Sequence, residues 1–156
     1  MIQIDIPGFQ TLSIRHVLLD YNGTIAADGR LIEGVAAAFG ALSQRVDLHV
    51  ITADTFGQAQ TQLQDLPCQI AILPAGNQTE AKLAYAHQLG LEQTVCIGNG
   101  RNDRLMVKEA VIGIALIQSE GAAVETVMSA NIVCHHIVEA LLLLTEPKRL
   151  IATLRT

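Results

Sequence analysis

A chain of 156 residues, half of them hydrophobic, suits one domain with a sizeable core. Aromatics are scarce (three Phe, two Tyr, no Trp), so the core must be built from Ala, Val, Ile and Leu, stock that suits strands covered by helices on both faces. A net charge of −5 without a Lys/Arg block argues against a nucleic-acid partner. The longest unbroken apolar run near the C-terminus, residues 140–144, falls far short of the roughly 20 residues that span a bilayer. No basic-then-apolar leader opens the chain. The expectation is a soluble, cytoplasmic protein with no membrane partner. Cys68, Cys96 and Cys134 have neither zinc spacing nor a disulfide framework, and Cys96 and Cys134, in strand-like runs, read as buried thiols.

Residues 1–13 read as a small hairpin turning at Pro7-Gly8. An apolar strand follows over 14–19 and ends at Asp20. Residues 24–33 read as a second hairpin turning at Asp28-Gly29, a flap beside Asp20. Helical spacing over 34–46, a strand over 47–51, a polar-faced helix over 55–66 and a strand over 69–73 come next. An amphipathic helix over 78–89 stops at Gly90. A strand over 94–97 runs into Gly98-Asn99-Gly100. Helix 102–110, strand 111–117, helix 122–128 and strand 131–134 complete the alternation, and helices over 137–144 and from Pro147 to 154 close the chain.

Such alternation predicts βαβ units. The expected class is α/β: a Rossmann-like three-layer sandwich with a mainly parallel central sheet and a small β-hairpin flap, in a single domain spanning 1–156. Ligands of open α/β sheets bind beyond the carboxyl ends of the strands. The residues there are polar: Asp20 after one strand, Thr52 and Asp54 after another, then Asn99, Asn102 and Asp103.

Asp20-Tyr21-Asn22-Gly23-Thr24 is the sharpest feature. A carboxylate at a strand end, followed by a glycine-bearing turn, has open access to a phosphoryl group. The segment resembles the Asp-x-x-Gly-Thr motif of haloacid dehalogenase-like (HAD) phosphatases and P-type ATPases. Three further matches follow in the family's order: Thr52 in Ile51-Thr52-Ala53-Asp54, Lys82 on the amphipathic helix, and Gly98-Asn99-Gly100-Arg101-Asn102-Asp103. Together they cover roughly residues 14–115. The pairing of the last two loop motifs looks closest to soluble domains similar to the P-type ATPase catalytic core.

The resemblance implies an aspartyl-phosphate on Asp20 and a small phosphorylated substrate. It implies catalytic roles for Asp20, Asn22, Thr52 and Lys82, and phosphate contacts from Asp20, Asn22, Gly23, Thr52, Ala53, Lys82 and Asn102. It also implies Mg²⁺ held near Asp20, the Asn22 carbonyl, Asn99 and Asp103. Two positions depart from the pattern. Asn22 stands where phosphatases of this kind carry an acid–base Asp, and Asn99 stands where the last motif usually has Asp. General acid–base help is worth about 10²–10⁴-fold, so unactivated esters should turn over slowly. The alternative is a degenerate phosphate- or nucleotide-binding module.

Other polar residues read more plainly. Asp54 suits a helix N-cap, His135-His136 a helix start, Arg101 a surface or phosphate contact, and Asp28 a turn. His16, His49 and His87 form no constellation. With no room for a large cap, the chain is expected to be a homo-oligomer, a dimer or tetramer.

Overall fold

The computed structural model describes residues 1–53, 57–74 and 76–156. Six strands form a parallel sheet in the order β10-β9-β8-β3-β6-β7. They are β3 (His16–Asp20), β6 (Asp47–Thr52), β7 (Gln69–Ile72), β8 (Thr94–Gly98), β9 (Ile112–Leu116) and β10 (Ile132–Cys134). From β3 the chain builds outward to β6 and β7, then returns to lay down β8, β9 and β10 on the other side. The reversal at β3 opens a crevice beyond the carboxyl ends of β3 and β8.

Period-two side-chain alternation makes the sheet two-faced. Val17, Leu19, Val50, Val95 and Ile97 point into the larger core. Helix α1 (Val35–Leu42), α2 (Gln58–Leu63), α6 (Ile137–Thr145) and α7 (Pro147–Leu154) cover it, with Phe39, Leu63, Leu141 and Leu150 buried there. Leu18, Ile51 and Cys96 point the other way, onto Ala86 of α3 (Gln78–Leu89) and Met106 and Val107 of α4 (Arg104–Glu109). The short α5 (Val124–Val127) lies beside α4. The result is the three-layer α/β sandwich expected from the sequence. Among the described residues no helix is long and apolar enough to cross a membrane.

Two antiparallel pairs complete the architecture. In β1 (Ile2–Ile6) and β2 (Gln10–Ile14), Ile2, Ile4, Ile6, Leu12 and Ile14 all enter the larger core. The apolar run 14–19 is therefore divided: Ile14 pairs with Ile2 in the hairpin, and the sheet strand begins at His16. In the flap, β4 (Ala26–Ala27) pairs with β5 (Arg30–Leu31). Its Asp28-Gly29 turn has φ of 50° and 74°, the left-handed pair that a tight hairpin turn requires. Residues 101–103 form a 3₁₀ turn ahead of α4, and Pro147 opens α7. Cys134 is only half-buried, because β10 is an edge strand. The capping position proposed for Asp54 lies outside the described residues.

The parallel register of β3 and β6 sets Leu18 opposite His49 and His16 opposite Asp47. His16 Nδ1 lies 3.2 Å from His49 Nε2, and His49 Nδ1 lies 3.1 Å from the Tyr85 hydroxyl. Burial holds the His49 imidazole below its ordinary value of 6.5; His16 adds to the depression and Asp47 opposes it. The native state therefore resists a proton that the unfolded chain accepts. This contribution to stability is complete above the unfolded value and is lost as pH falls below it. Urea titrations at pH 7, 6 and 5 should show His49→Gln losing less stability on acidification than the wild type. An equal loss in both would remove His49 as the cause.

Candidate active site

Asp20 ends β3 at the switch point of the sheet, 7% exposed. The chain then folds tightly back: the Tyr21 carbonyl accepts from the backbone N–H groups of Ile25 and Ala26, both at 3.0 Å. Gly23 takes φ +77° here, and a Cβ at this position would collide with the Asn99 carboxamide. The Thr24 hydroxyl lies 3.5 Å from Asp20 Oδ2 and 3.3 Å from Asn99 Oδ1. Gln118, just past β9, fixes the same loop from outside. Its Nε2 donates to the carbonyls of Gly23 (3.0 Å) and Thr24 (2.9 Å), and its Oε1 accepts from Ile137 N–H (2.7 Å).

Under this loop Lys82 ties two buried carboxylates together. Its ammonium donates to Asp20 Oδ1 and to Asp103 Oδ1, each at 2.6 Å, and lies 3.5 Å from Asn102 Oδ1. Lys82 is 2% exposed and Asp103 fully buried. The second Asp103 oxygen, Oδ2, accepts from the backbone N–H groups of Asn99 (3.0 Å) and Gly100 (2.8 Å). Gly98 makes this closeness possible, since a Cβ there would strike the Asp103 carboxylate. Burial alone would lower the Lys82 pKa, but Asp20 and Asp103 reverse that and raise it, so the ammonium stays charged. Burial pushes the Asp20 carboxyl up to about 7; the charge of Asp103 adds to the rise and Lys82 pulls against it.

A cavity of about 260 Å³ opens over this base. Asp20, Asn22, Thr52, Ala53, Lys82 and Asn102 line it, the positions that the motifs single out for phosphate contact. Asn99, Gly100, Gln78 and Glu120 complete the wall. Gln78 and Lys82 reach it from one face of α3, four residues apart. Gly23, by contrast, serves the loop's turn and is absent from the cavity lining.

The donor set also bears on a metal. Among the described residues no group of three or more His, Cys, Asp and Glu is placed to hold one. Asp103 stands beneath the cavity with both oxygens bonded, so it positions Lys82 and the loop rather than facing a ligand. Asn99 faces the cavity, but its amide is engaged: Nδ2 donates to Gly121 C=O at 3.0 Å and Oδ1 lies near Thr24. What remains in the lining is the Asp20 and Glu120 carboxylates with neighbouring neutral oxygens. That suits Mg²⁺, which commonly takes one or two carboxylates, water and substrate phosphate rather than an all-protein cage.

No protein-family model matches the chain. An uncharacterized protein of Methanocaldococcus jannaschii, MJ0073, is 42% identical over 84 residues, 51% of this chain and 90% of the relative. The chain belongs to the same family as MJ0073. Members of the HAD superfamily share the fold at low identity. The 3-deoxy-D-manno-octulosonate 8-phosphate phosphatase of Moraxella catarrhalis, solved with magnesium ion, phosphate ion and KDO, superposes with a TM-score of 0.69 at 19% identity, over 91% of this chain and 94% of that one. A Legionella pneumophila hydrolase assigned to HAD subfamily III A gives 0.68 at 13% identity, over 90% and 86%. This member of the MJ0073 family thus has the HAD hydrolase fold.

Of the remaining sequence readings, Arg101 is a surface residue paired with Glu125 at 3.0 Å, and His136 caps α6 through its side chain. Asp28 sits at the flap tip and does not line the cavity. Glu120 and Gln118 carried no motif signal, because the path of the chain after β9 brings them here; Gln78 was findable from its spacing, one helical turn before Lys82 on α3. Replacing Lys82 by Met would leave two buried carboxylates without their shared counter-ion. Breaking such a pair costs about 3–5 kcal/mol, so the urea midpoint of Lys82→Met should fall by the equivalent amount at pH 7. A loss under 1 kcal/mol would contradict the buried bridge.

Proposed function

We propose that this protein is a Mg²⁺-dependent phosphohydrolase or phosphotransferase that works through an aspartyl-phosphate on Asp20. The observation that carries this reading is the Lys82 ammonium held 2.6 Å from both Asp20 and Asp103 beneath a polar cavity of about 260 Å³. Asp20 attacks phosphorus, and the leaving group departs toward the open side. Lys82 offsets charge between the phosphoryl group and the carboxylate. Thr52 and Asn102 hold phosphoryl oxygens, with backbone N–H groups near Asn22 and Ala53. Such positioning and charge stabilisation supply most of phosphoryl-transfer catalysis. Asp20 and the Asn22 carbonyl, with Asn99 nearby, would hold Mg²⁺, which when bound would neutralise charge on the phosphoryl oxygens. The Moraxella structure, with its magnesium and phosphate ions, supports this choice of ligands.

Asn22 has no proton to give, so a substrate with a good leaving group, such as an acyl phosphate, is favoured over a simple ester. Likeness to soluble P-type ATPase-like domains points the same way. The rival is a phosphate- or nucleotide-binding module with little turnover. One observation favours it: the Asn99 amide is satisfied by Gly121 and Thr24, so this position is built for an amide rather than an acid.

Assays with Mg²⁺ and acetyl phosphate, ATP and p-nitrophenyl phosphate separate the two. Asp20→Asn should abolish turnover of all three. Asn22→Asp should raise p-nitrophenyl phosphate hydrolysis by about 10²-fold. Activity that survives Asp20→Asn would remove Asp20 as the nucleophile.

We also propose that the chain forms a dimer or tetramer. Among the described residues β7 and β10 are unpaired edges, and Ile72 and Val133 on them are exposed. Light scattering at tens of micromolar should give a multiple of 16.7 kDa; a monomer mass would refute the assembly.

A further inference from the structure

A phosphoenzyme on Asp20 must be released by water, and Asn22 cannot take the proton of that water. The same cavity holds a second carboxylate. Among the described residues Asp20 and Glu120 are the only acidic side chains that line it. Glu120 follows β9 and faces the flap, where its Oε1 accepts from Asp28 N–H at 3.0 Å. That donor is a neutral backbone amide, so it fixes the carboxylate without cancelling its charge. Among the described residues no partner holds Oε2. Glu120 is also exposed, which keeps solvent beside it.

The flap that orients Glu120 is itself anchored. Gln62 of α2 accepts from Leu31 N–H at 2.7 Å through Oε1 and donates to the Gly29 carbonyl through Nε2. The Tyr21 hydroxyl lies 3.3 Å from the same carbonyl. The flap tip is thus tied to α2 on one flank and to Glu120 on the other, so the carboxylate is held against a fixed wall.

We propose that Glu120 is the general base that hydrolyses the aspartyl-phosphate, a reading that rests on Asp20 as the nucleophile. A water oxygen bonds to phosphorus while the bond from phosphorus to the Asp20 oxygen breaks. The electron pair returns to the Asp20 carboxylate. The water proton passes to Glu120 and from there to solvent, leaving inorganic phosphate and free Asp20. Formation of the phosphoenzyme from a good leaving group does not need this base. Glu120 thereby supplies, from the same cavity lining, the function that Asn22 lacks.

The test follows phosphoenzyme formation and decay in the full chain with Mg²⁺ and ³²P-labelled acetyl phosphate, with Asp20→Asn as the blank. In Glu120→Gln, formation should stay within about twofold of wild type while decay slows about 100-fold, the range of general base catalysis. Label should then accumulate on the protein as turnover falls. Glu120→Asp, which keeps the carboxylate, should recover part of the decay rate. Unchanged decay in Glu120→Gln would overturn the proposal. So would formation and decay slowing in equal proportion, which would mark Glu120 as a residue that shapes the site rather than a base. Wild-type protein that turns over acetyl phosphate without acquiring label would overturn the Asp20 reading itself, and Glu120 with it.

Discussion

The site depends on one ammonium between two buried carboxylates. Taking three charges out of water costs several kcal/mol each, and the arrangement holds only where each partner is bonded on more than one side. Asp103 meets that demand through Lys82 and two backbone N–H groups, and Asp20 through Lys82 with Thr24 alongside. Either carboxylate alone balances the ammonium, so the triad carries a surplus negative charge, in keeping with the raised pKa of Asp20. The fold's crossover at β3 exists around this triad: β3 brings Asp20, α3 brings Lys82, and the turn after β8 brings Asp103.

The two departures from the family pattern have different physical standing. Asn99 is embedded, with its amide nitrogen on a carbonyl and its oxygen by a hydroxyl. A carboxylate there would face the Gly121 carbonyl with no donor to offer it. Asn22 is exposed at the mouth of the cavity, where an acid would meet no such conflict. Only the first is locked in by its neighbours. The groups left to the cavity are two carboxylates, Asp20 and Glu120, one cation and a set of neutral amides and hydroxyls.

Much of this was legible beforehand. The strand-end Asp20, the helix 78–89 and the Gly98–Asp103 loop follow from local pattern, and the parallel character of the sheet follows from alternation, though not its strand order. What failed to show was whatever depended on register or on a turn's final direction. His16 and His49 looked unrelated because only parallel pairing of β3 with β6 brings them together. Asp103 read as a metal-facing carboxylate because its spacing matches a motif, whereas the close approach allowed by Gly98 decides where its oxygens go. Glu120 lies in a polar stretch with no helical or strand period, and its position is set by the path of the chain after β9. Ile14 read as part of the first sheet strand because apolar residues cannot reveal which of two adjacent sheets they join.

Gln118 gives the loop after Asp20 a mechanical link to the C-terminal helices. One carboxamide grips the Gly23 and Thr24 carbonyls with its nitrogen and the first amide of α6 with its oxygen. The C-terminal helices are in this sense a backstop for the loop after Asp20, reached through Gln118. Loss or displacement of α6 would leave that oxygen without its donor and free the carboxamide to rotate, slackening the turn that aims Asp20. Whatever leans on the last two helices leans on the Asp20 loop as well.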